Sequence, residues 1–358
     1  MKYLVYGYYG YNNLGDELLL NTIIENISIK DKSAQFKILN KYSDTLTQYK
    51  NVEYTNIRNI LHDSKNKISK FLRFFNTFKK YIDVCDVFII GGGTLLMDTG
   101  KFNFLMMYLS FLVQYANFKN KKVILLGVGI DILGNPFSNI WAKKILKNCN
   151  TINLRDKLSY QVARKIDVKN KNILLTQDLV FSNQNLQNIK SISNDKVIGI
   201  SLIDYSDKFE ENSFFEKINN IITYYLKNNY KIKLLSFQTD TDRADNKFYK
   251  KFKEIDKCEV VTLTLSNIKE VYNSLEFVLS MRFHGILLGL IFHKKVLGII
   301  HEIKNYQLCF DTSIDYIMLE ELSIENILDK EYKRIKKNTL IELEEHSKKN
   351  FDFIKSLI

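Results

Sequence analysis

Residues 276–292, EFVLSMRFHGILLGLIF, contain a short apolar run, a polar turn and a second apolar run. Residues 277–280 predict a buried strand, and residues 286–292 predict a helix that is apolar on every face and therefore buried. A strand that passes through a short turn into a helix is the repeating unit of a doubly wound α/β domain. The stretch therefore predicts a parallel sheet flanked by helices.

The same alternation of strands and helices recurs on both sides of this stretch. Strands are predicted at residues 3–6, 36–39, 87–90, 123–126, 151–154 and 173–175, and then at 197–201, 233–237, 260–263, 277–280 and 296–300. Helices are predicted at residues 17–27, 102–118, 139–147 and 158–165, and then at 214–227, 245–252, 268–274 and 286–292.

A polar stretch rich in Asn, Gln and Ser, residues 182–195, separates the two halves. The sequence therefore predicts an α/β protein with two doubly wound, Rossmann-like domains facing a cleft. The first domain would span residues 1–181 and the second residues 196–323. Residues 182–195 would form the linker, and residues 324–358 a charged helical segment.

Composition restricts the classes of protein that fit. The chain has 358 residues, 46% of them hydrophobic, which is enough for two cores of ordinary size. Its longest apolar stretches are too short or too interrupted to span a bilayer, and no signal-like region precedes the first strand, so a cytoplasmic protein is expected. The four cysteines lie far apart, which favours neither a disulfide framework nor a zinc site.

The net charge of +12 raises the question of a nucleic-acid partner. Most of the positive charge comes from lysines that are scattered among Asn, Ile and Asp, whereas a nucleic-acid surface favours arginine clustered with aromatic residues. The composition therefore argues against nucleic acid.

The turn after residue 280 places a permanent cation beside a titratable imidazole. In an extended backbone, residues i and i+2 face the same side, so Arg282 and His284 are expected to converge beyond the strand's carboxyl end. Open α/β sheets bind their ligands there, so this turn predicts an anion site with a built-in proton donor. The alternative is an arginine and a histidine that neighbouring carboxylates satisfy.

The opening segment GYYGYNNLGDELLL, residues 7–20, is a glycine-rich turn between a strand and a helix. Its glycines lack the spacing of a dinucleotide fingerprint, and acidic residues in the helix's first turn would repel a phosphate. Asn12, Asn13 and Asp16 suit sugar hydroxyls better. The alternative is a plain tight turn with a capped helix.

A second glycine-rich loop follows the strand at residues 87–90. The amides of Gly92 and Gly93 carry no Cβ shielding and are expected to open onto the cleft. Such a loop either binds an anion or allows close packing.

Further candidates follow other strands. Arg155 is expected to point into the cleft, with Asp156 capping the next helix; the alternative is an ion pair between Arg155 and an aspartate. Asp178 would supply a cleft carboxylate. Lys304 would add a cation, and His301 is the rival of His284.

Residues 65–82 interleave phenylalanines with lysines and an arginine. Such a segment either lies on an anionic membrane or packs on its own domain, and the packing interpretation is favoured.

The ordered motifs GYYGYNNLGDELLL, GGGTLLMD, GVGI, RDKLS, QDLVF and SMRFHG together resemble the polysaccharide pyruvyltransferase family, over about residues 1–311. The resemblance implies a GT-B-like fold and transfer of a pyruvyl group from phosphoenolpyruvate to a sugar, commonly as a 4,6-ketal on a hexose of a lipid-linked or polymeric glycan. It also implies that Arg282 and His284 match the family's paired Arg and His, and Arg155 the Arg of its RD motif.

The residue types suit this chemistry. Phosphoenolpyruvate carries a phosphate and a carboxylate, which bidentate cations such as Arg282 and Arg155 can bind. Protonation of its methylene carbon requires an acid, for which His284 is the candidate. Neither a metal nor another cofactor is expected. Two alternatives remain open: a nucleotide-sugar-dependent glycosyltransferase of the same fold, and a glycan-binding protein without activity.

Overall fold

Two parallel α/β sheets organise the computed structural model, which describes residues 1–40, 49–56, 67–166, 172–186, 196–209, 213–239 and 245–357. The chain divides into two units. The first comprises Met1–Tyr11, Asp16–Gln184 and Leu343–Ile358, and the second comprises Asn12–Gly15 and Asn185–Glu342. Residues 187–195 of the predicted linker lie outside the described residues.

The sheet of the first unit is parallel throughout. Its strands are β1 (Lys2–Tyr6), β2 (Gln35–Asn40), β3 (Val52–Asn56), β4 (Val87–Gly91), β5 (Thr94–Leu96), β6 (Lys122–Ile130), β7 (Thr151–Leu154) and β8 (Ile173–Leu175). They run in the order β3-β2-β1-β4-β6-β7-β8, and β5 pairs with β6. The helices are α1 (Leu14–Lys30), α2 (Lys67–Val84), α3 (Phe104–Phe118), α4 (Pro136–Lys147) and α5 (Lys157–Ile166).

The sheet of the second unit is also parallel. Its strands are β9 (Val197–Ser201), β10 (Lys231–Ser236), β11 (Cys258–Thr262), β12 (Phe277–Ser280), β13 (Lys295–Ile300) and β14 (Tyr316–Met318), in the order β11-β10-β9-β12-β13-β14. The helices are α6 (Ser213–Lys227), α7 (Asp245–Tyr249), α8 (Ile268–Ser274), α9 (Phe283–Ile291), α10 (Ile303–Thr312) and α11 (Ile324–Leu328). Helix α12 (Lys337–Lys348) begins in this unit, and its residues from Leu343 onward belong to the first unit. The first strand lies inside the sheet, and the strand order reverses between β9 and β12, as in a Rossmann fold.

Each unit has its own apolar core. In the second unit, helix α9 is buried on every side, as its uniformly apolar sequence predicts. It packs against β12 and β13, the strands that precede and follow it. The turn before α9 is therefore anchored at both ends by core elements.

The carboxyl-terminal residues 343–358 pack in the first unit. Ser347 Oγ donates a hydrogen bond to Asp178 O at 2.8 Å, and Asn350 Nδ2 donates one to Gln177 O at 2.9 Å. The predicted segment 324–358 is therefore divided between the two units.

Helix α2 contains most of the Phe- and Lys-rich segment predicted at residues 65–82. Phe78 and Ile82 belong to the core of the first unit, and Phe74 and Phe75 pack against that core. The packing interpretation is therefore confirmed for these four side chains. Among the described residues, no helix is both long and apolar enough to cross a membrane.

Candidate active site

The candidate active site in the second unit lies where the order of its strands reverses. Strands β9 and β12 are neighbours, with Ser201 beside Ser280 at their carboxyl ends. Helices leave this point of a doubly wound sheet in opposite directions, and the resulting crevice is where such sheets bind ligands. The turn Met281–Arg282 follows β12 directly, so it lies at this crevice.

Ser280 fixes the turn. Its Oγ accepts a hydrogen bond from Arg282 N at 3.1 Å and donates one to Arg282 O at 2.9 Å. A Cβ at Gly285 would lie 2.2 Å from the same oxygen, so only glycine fits there without a shift. The Ser280 hydroxyl therefore closes the turn, and Gly285 provides the space that this hydroxyl occupies.

The predicted geometry of this turn is wrong in one respect. Helix α9 begins at Phe283, and Arg282 is the extended residue that precedes it, with φ −79° and ψ 130°. His284 is therefore helical, so the strand-like i, i+2 relation to Arg282 does not hold. A Cβ at Gly15, which also belongs to the second unit, would lie 2.1 Å from His284 Nδ1, so the imidazole packs on that glycine.

Arg282 has a partner that the sequence analysis missed. Its Nη2 donates to Asp245 Oδ1, and the other oxygen of Asp245 accepts from the amides of Phe237 (2.9 Å) and Gln238 (3.2 Å). Burial raises the pKa of Asp245, whereas Arg282 and the two amides oppose the shift. One edge of the guanidinium is therefore fixed by a buried carboxylate.

A second nitrogen of the Arg282 side chain, Nε, makes no hydrogen bond among the described residues. This nitrogen is buried, and the side chain remains 16% exposed. A buried donor without a partner is costly, and an anion would satisfy it. The alternative interpretation, in which neighbouring carboxylates pair with Arg282, therefore holds for the edge that contacts Asp245 but not for Nε.

His301 lies beyond β13, the strand next to β12. Its side chain is 2% exposed, and the Ile299 backbone opposes the effect of burial on its pKa. Burial lowers the pKa of His301; Glu302 raises it, and Lys304 and Arg282 lower it further. His301 is thus a buried imidazole within the electrostatic reach of Arg282.

Lys304 occupies the first turn of α10. Its Nζ pairs with Glu302, and the side chain is 30% exposed. The predicted cation is therefore present beyond β13, although a carboxylate partly neutralises it.

Asn12 and Asn13 form a turn that the second unit holds in place. Asn12 has φ 51°, and its carbonyl accepts from Thr239 N at 3.3 Å. Asn13 Oδ1 accepts from Gly15 N at 3.0 Å. These contacts match the tight-turn interpretation, and a role in binding sugar hydroxyls stays a prediction.

In the first unit, the strand order reverses between β1 and β4. At this point the Tyr9 hydroxyl donates a hydrogen bond to Gly91 O, and Gly10 N donates one to Glu17 Oε1 at 2.8 Å. A Cβ at Gly93 would lie 3.5 Å from Asp16 Oδ1, so Asp16 faces the glycine loop. Glu17 is a buried carboxylate whose role in closing this turn the sequence analysis missed.

The glycine loop serves the sheet in part. Gly92 N donates to Leu126 O, and Gly93 O accepts from Gly129 N, each at 2.9 Å. Both glycines have positive φ, and a Cβ at Gly92 would lie 2.9 Å from Leu19. Close packing therefore explains Gly92, and its amide is already used.

Arg155 is buried in a polar cluster of the first unit. Its Nη2 donates to Thr94 Oγ1 at 2.8 Å and its Nε to Asp156 Oδ2 at 3.3 Å, while Nη1 lies 3.6 Å from Asp178 Oδ2. Asp156 also caps α5 by accepting from Ser159 N at 2.7 Å. The ion-pair alternative for Arg155 is therefore the one that the contacts show, and Asp156 also caps the helix as predicted.

Asp178 is 2% exposed. Its Oδ1 accepts from Val180 N at 3.1 Å and caps a short 3₁₀ turn, Leu179–Ser182. Burial raises the pKa of Asp178, and the charge of Arg155 opposes that shift. The structure thus places Asp178 inside the first unit as a partner of Arg155.

Comparison with solved structures defines the class of fold. UDP-GlcNAc 2-epimerases from Methanocaldococcus jannaschii (12% identity) and Neisseria meningitidis, bound to UDP-GlcNAc (11% identity), each have a TM-score of 0.66. The first alignment covers 99% of this chain and 100% of that chain, and the second covers 100% and 99%. The heptosyltransferase WaaC of E. coli with ADP has a TM-score of 0.50 at 12% identity, covering 92% and 98%. The chain therefore has two Rossmann-like domains of the GT-B type, and the predicted fold is confirmed.

The family model for polysaccharide pyruvyl transferases matches residues 13–302. The chain belongs to this family, so the resemblance inferred from the motifs is confirmed. The sequence has no match among curated proteins. At the identities found, the solved structures show the fold alone.

Proposed function

We propose that the protein transfers a pyruvyl group from phosphoenolpyruvate to a sugar and forms a pyruvate ketal. Membership of the polysaccharide pyruvyl transferase family supports this reaction class. The observation that carries the proposal is Arg282: it lies where the strand order reverses, Asp245 holds one edge, and its Nε is buried without a partner in the described residues. The donor's carboxylate or phosphate would satisfy that nitrogen.

The proposed reaction starts with proton transfer to the donor's methylene carbon, which becomes a methyl group. The adjacent carbon becomes cationic, and one sugar hydroxyl attacks it and loses its proton. Phosphate then leaves, and a second hydroxyl of the same sugar attacks the carbon, loses its proton and closes the ketal. Of the two hydroxyl protons, one restores the acid and the other goes to the departing phosphate. Two C–O bonds to the sugar form, while the C–O bond to phosphate breaks.

His284 is the proposed proton donor, with His301 as its rival. Both histidines follow the carboxyl ends of neighbouring strands, β12 and β13. A general acid must approach the carbon that it protonates, and both positions adjoin Arg282 in the sheet order. Because His284 is helical, its proximity to Arg282 along an extended segment no longer supports the choice.

Other residues complete the proposal as binding groups. Lys304 would supply a second cation beside the donor, and Arg155 is retained as the residue that matches the family's RD motif. The sugar acceptor is assigned to Asn12, Asn13 and Asp16. Gly93 and Asp178 remain candidate binding residues, whereas the amide of Gly92 is used by Leu126 O. The acceptor is a polysaccharide or its lipid-linked precursor, and the predicted cytoplasmic location is part of the proposal.

Calorimetry with phosphoenolpyruvate, UDP-GlcNAc and ADP separates this proposal from its main alternative. The similar epimerase holds UDP-GlcNAc and the similar heptosyltransferase holds ADP, so a nucleotide-sugar enzyme would bind one of these ligands. We expect saturable binding of phosphoenolpyruvate and none of the nucleotides. Binding of a nucleotide with no binding of phosphoenolpyruvate would overturn the proposal, and binding of none would favour the glycan-binding alternative.

A further inference from the structure

Helix α3 carries an aromatic stripe on its outer side. Phe104, Tyr108, Phe111, Tyr115 and Phe118 recur at spacings of four and three residues, so they share one face of the helix. The three phenylalanines are 54%, 38% and 79% exposed. The opposite face is also apolar and packs in the core of the first unit. Core packing explains one face of α3, and within the stripe Tyr108 and Tyr115 contact Phe74 and Phe75 of α2. The exposed phenylalanines are what this packing does not explain.

The stripe continues onto α4 and the loop before α3. The ring of Phe102 lies 5.4 Å from that of Phe137 and 6.0 Å from that of Phe104, and the ring of Phe111 lies 6.1 Å from that of Trp141. We define the aromatic surface as the exposed residues Phe102, Phe104, Phe111, Phe137 and Ile140, and the half-buried Trp141 packs between Phe111 and the core. Contiguous exposed apolar area of this kind marks a surface that contacts something other than water.

The aromatic surface rests on a fixed scaffold. Asn135 Nδ2 donates to Gly100 O at 3.1 Å and to Lys101 O at 2.7 Å, and Asp98 accepts from the amides of Gly134 and Asn135. These bonds tie together the two loops that enter α3 and α4. The exposed rings therefore lie on loops and helices whose positions are fixed by hydrogen bonds.

Lysines border the aromatic surface. Lys144 Nζ lies 4.8 Å from the ring centroid of Trp141, Lys101 Nζ lies 5.8 Å from that of Phe102, and Lys143 is exposed on α4. Neither α3 nor α4 contains an Asp or a Glu. The charge complements an anionic partner, whereas the pairing of two copies would set lysine against lysine.

We propose that the aromatic surface docks the protein on the headgroup region of a bilayer that contains anionic lipid. Phenylalanine and tryptophan enter the boundary between headgroups and acyl chains, and lysines contact the lipid charge. The surface lies on the bilayer and does not span it. This docking does not depend on the reaction proposed above, and it uses α3 and α4 instead of the residues of α2 that pack in the core.

The single tryptophan of the chain makes the proposal directly measurable. Trp141 is the only tryptophan; it is half-buried, and its ring lies 6.1 Å from that of Phe111 on the aromatic surface. Vesicles of phosphatidylglycerol and phosphatidylcholine with brominated acyl chains are expected to quench its fluorescence at low salt. Vesicles of phosphatidylcholine alone should quench it much less, and added salt should weaken the effect. Unquenched fluorescence with protein in the supernatant at low salt would overturn the proposal.

Two variants with matched controls locate the contact. Phe104→Ser with Phe111→Ser should weaken sedimentation with anionic vesicles roughly tenfold or more, because two exposed rings no longer insert. Phe310→Ser removes a ring of the second unit that is 61% exposed, and should have no effect. An equal loss in both would mean that binding does not use the aromatic surface.

The charge contribution is tested in the same way. Lys143→Gln with Lys144→Gln should weaken binding roughly tenfold at low salt, and Lys348→Gln with Lys349→Gln should leave it nearly unchanged. A dimer that Phe104→Ser with Phe111→Ser abolishes, without vesicle binding by the parent, would assign the surface to a second copy and overturn the proposal. Neither vesicle result changes the calorimetry with phosphoenolpyruvate. The bilayer proposal and the proposed reaction can therefore be refuted independently.

Discussion

Arg282→Lys keeps a positive charge beside Asp245 and removes the planar fork. In the parent, one edge of the guanidinium contacts Asp245 and Nε is left for an anion. An ammonium group presents its donors from one point, so it cannot hold Asp245 and present the same second donor. We expect the loss of one charge-assisted hydrogen bond to the donor. That is about 1.5–3 kcal/mol, or roughly a 10- to 150-fold weaker Kd for phosphoenolpyruvate.

Calorimetry of the purified variants measures this loss. Arg334→Lys is the matched control, because Arg334 is an exposed arginine of the same unit. The control should keep the parent Kd, and thermal unfolding of both variants shows whether either change disturbs the fold. A Kd in Arg282→Lys equal to that of the parent would refute the view that Arg282 grips the donor through its fork.

Asp245→Asn separates orientation from charge. The amide keeps the shape of the side chain but removes the negative charge that fixes Arg282. If orientation of the guanidinium matters most, donor affinity falls. If only net positive charge matters, affinity rises, because the cation is no longer neutralised. We expect the fall.

Three further predictions address the rest of the candidate site and its support. His284→Gln should keep donor binding and lower phosphate release with a hexose acceptor by ~10²–10⁴, while His301→Gln keeps turnover; loss confined to the second variant would make His301 the proton donor. Burial lowers the pKa of His301, so the folded state binds fewer protons than the unfolded chain, and stability should fall as the pH drops below about 6.5. Urea unfolding at about pH 7.5 and about pH 5.5 should show a smaller loss in His301→Gln, and an equal loss would contradict this account. Gly92→Ala should lower the free energy of unfolding by more than Gly100→Ala. Both positions have positive φ, which costs about 1–2 kcal/mol for alanine, but only Gly92 would also press on Leu19. Equal losses would show that Leu19 gives way.

The strands that the sequence predicts best are those with continuous β-branched and aliphatic runs. Thr151–Leu154, Ile173–Leu175, Val197–Ser201 and Phe277–Ser280 have the predicted bounds, because each is largely apolar and a polar residue lies at its end or directly after it. Val52–Asn56, Thr94–Leu96 and Tyr316–Met318 were missed, because they are short and, unlike the predicted three-residue strand Ile173–Leu175, are not wholly aliphatic. Short edge and accessory strands form because a longer neighbour offers hydrogen bonds, and that neighbour is invisible in local sequence.

The partners of the candidate residues were harder to predict than the residues themselves. Asp245 precedes Arg282 by 37 residues and follows β10, which is separated from β12 by β9. Only the strand order brings the two side chains together. Asp156 was predictable as a partner of Arg155 because it is adjacent in the sequence, whereas Thr94 was not.

The turn after β12 shows why residue types could be predicted while geometry could not. The residue types between Ser280 and Gly285 are compatible with an extended chain up to His284, and the sequence of this segment does not indicate where the helix begins. In the structure, the Ser280 hydroxyl closes the turn on Arg282, and the missing Cβ of Gly285 lets the helix start at Phe283. Arg282 stays in the last extended position at the crevice, and His284 lies in the first turn of the helix, where its imidazole packs on Gly15. An anion site can therefore be inferred from residues that follow a strand, but the identity of its acid has to be measured.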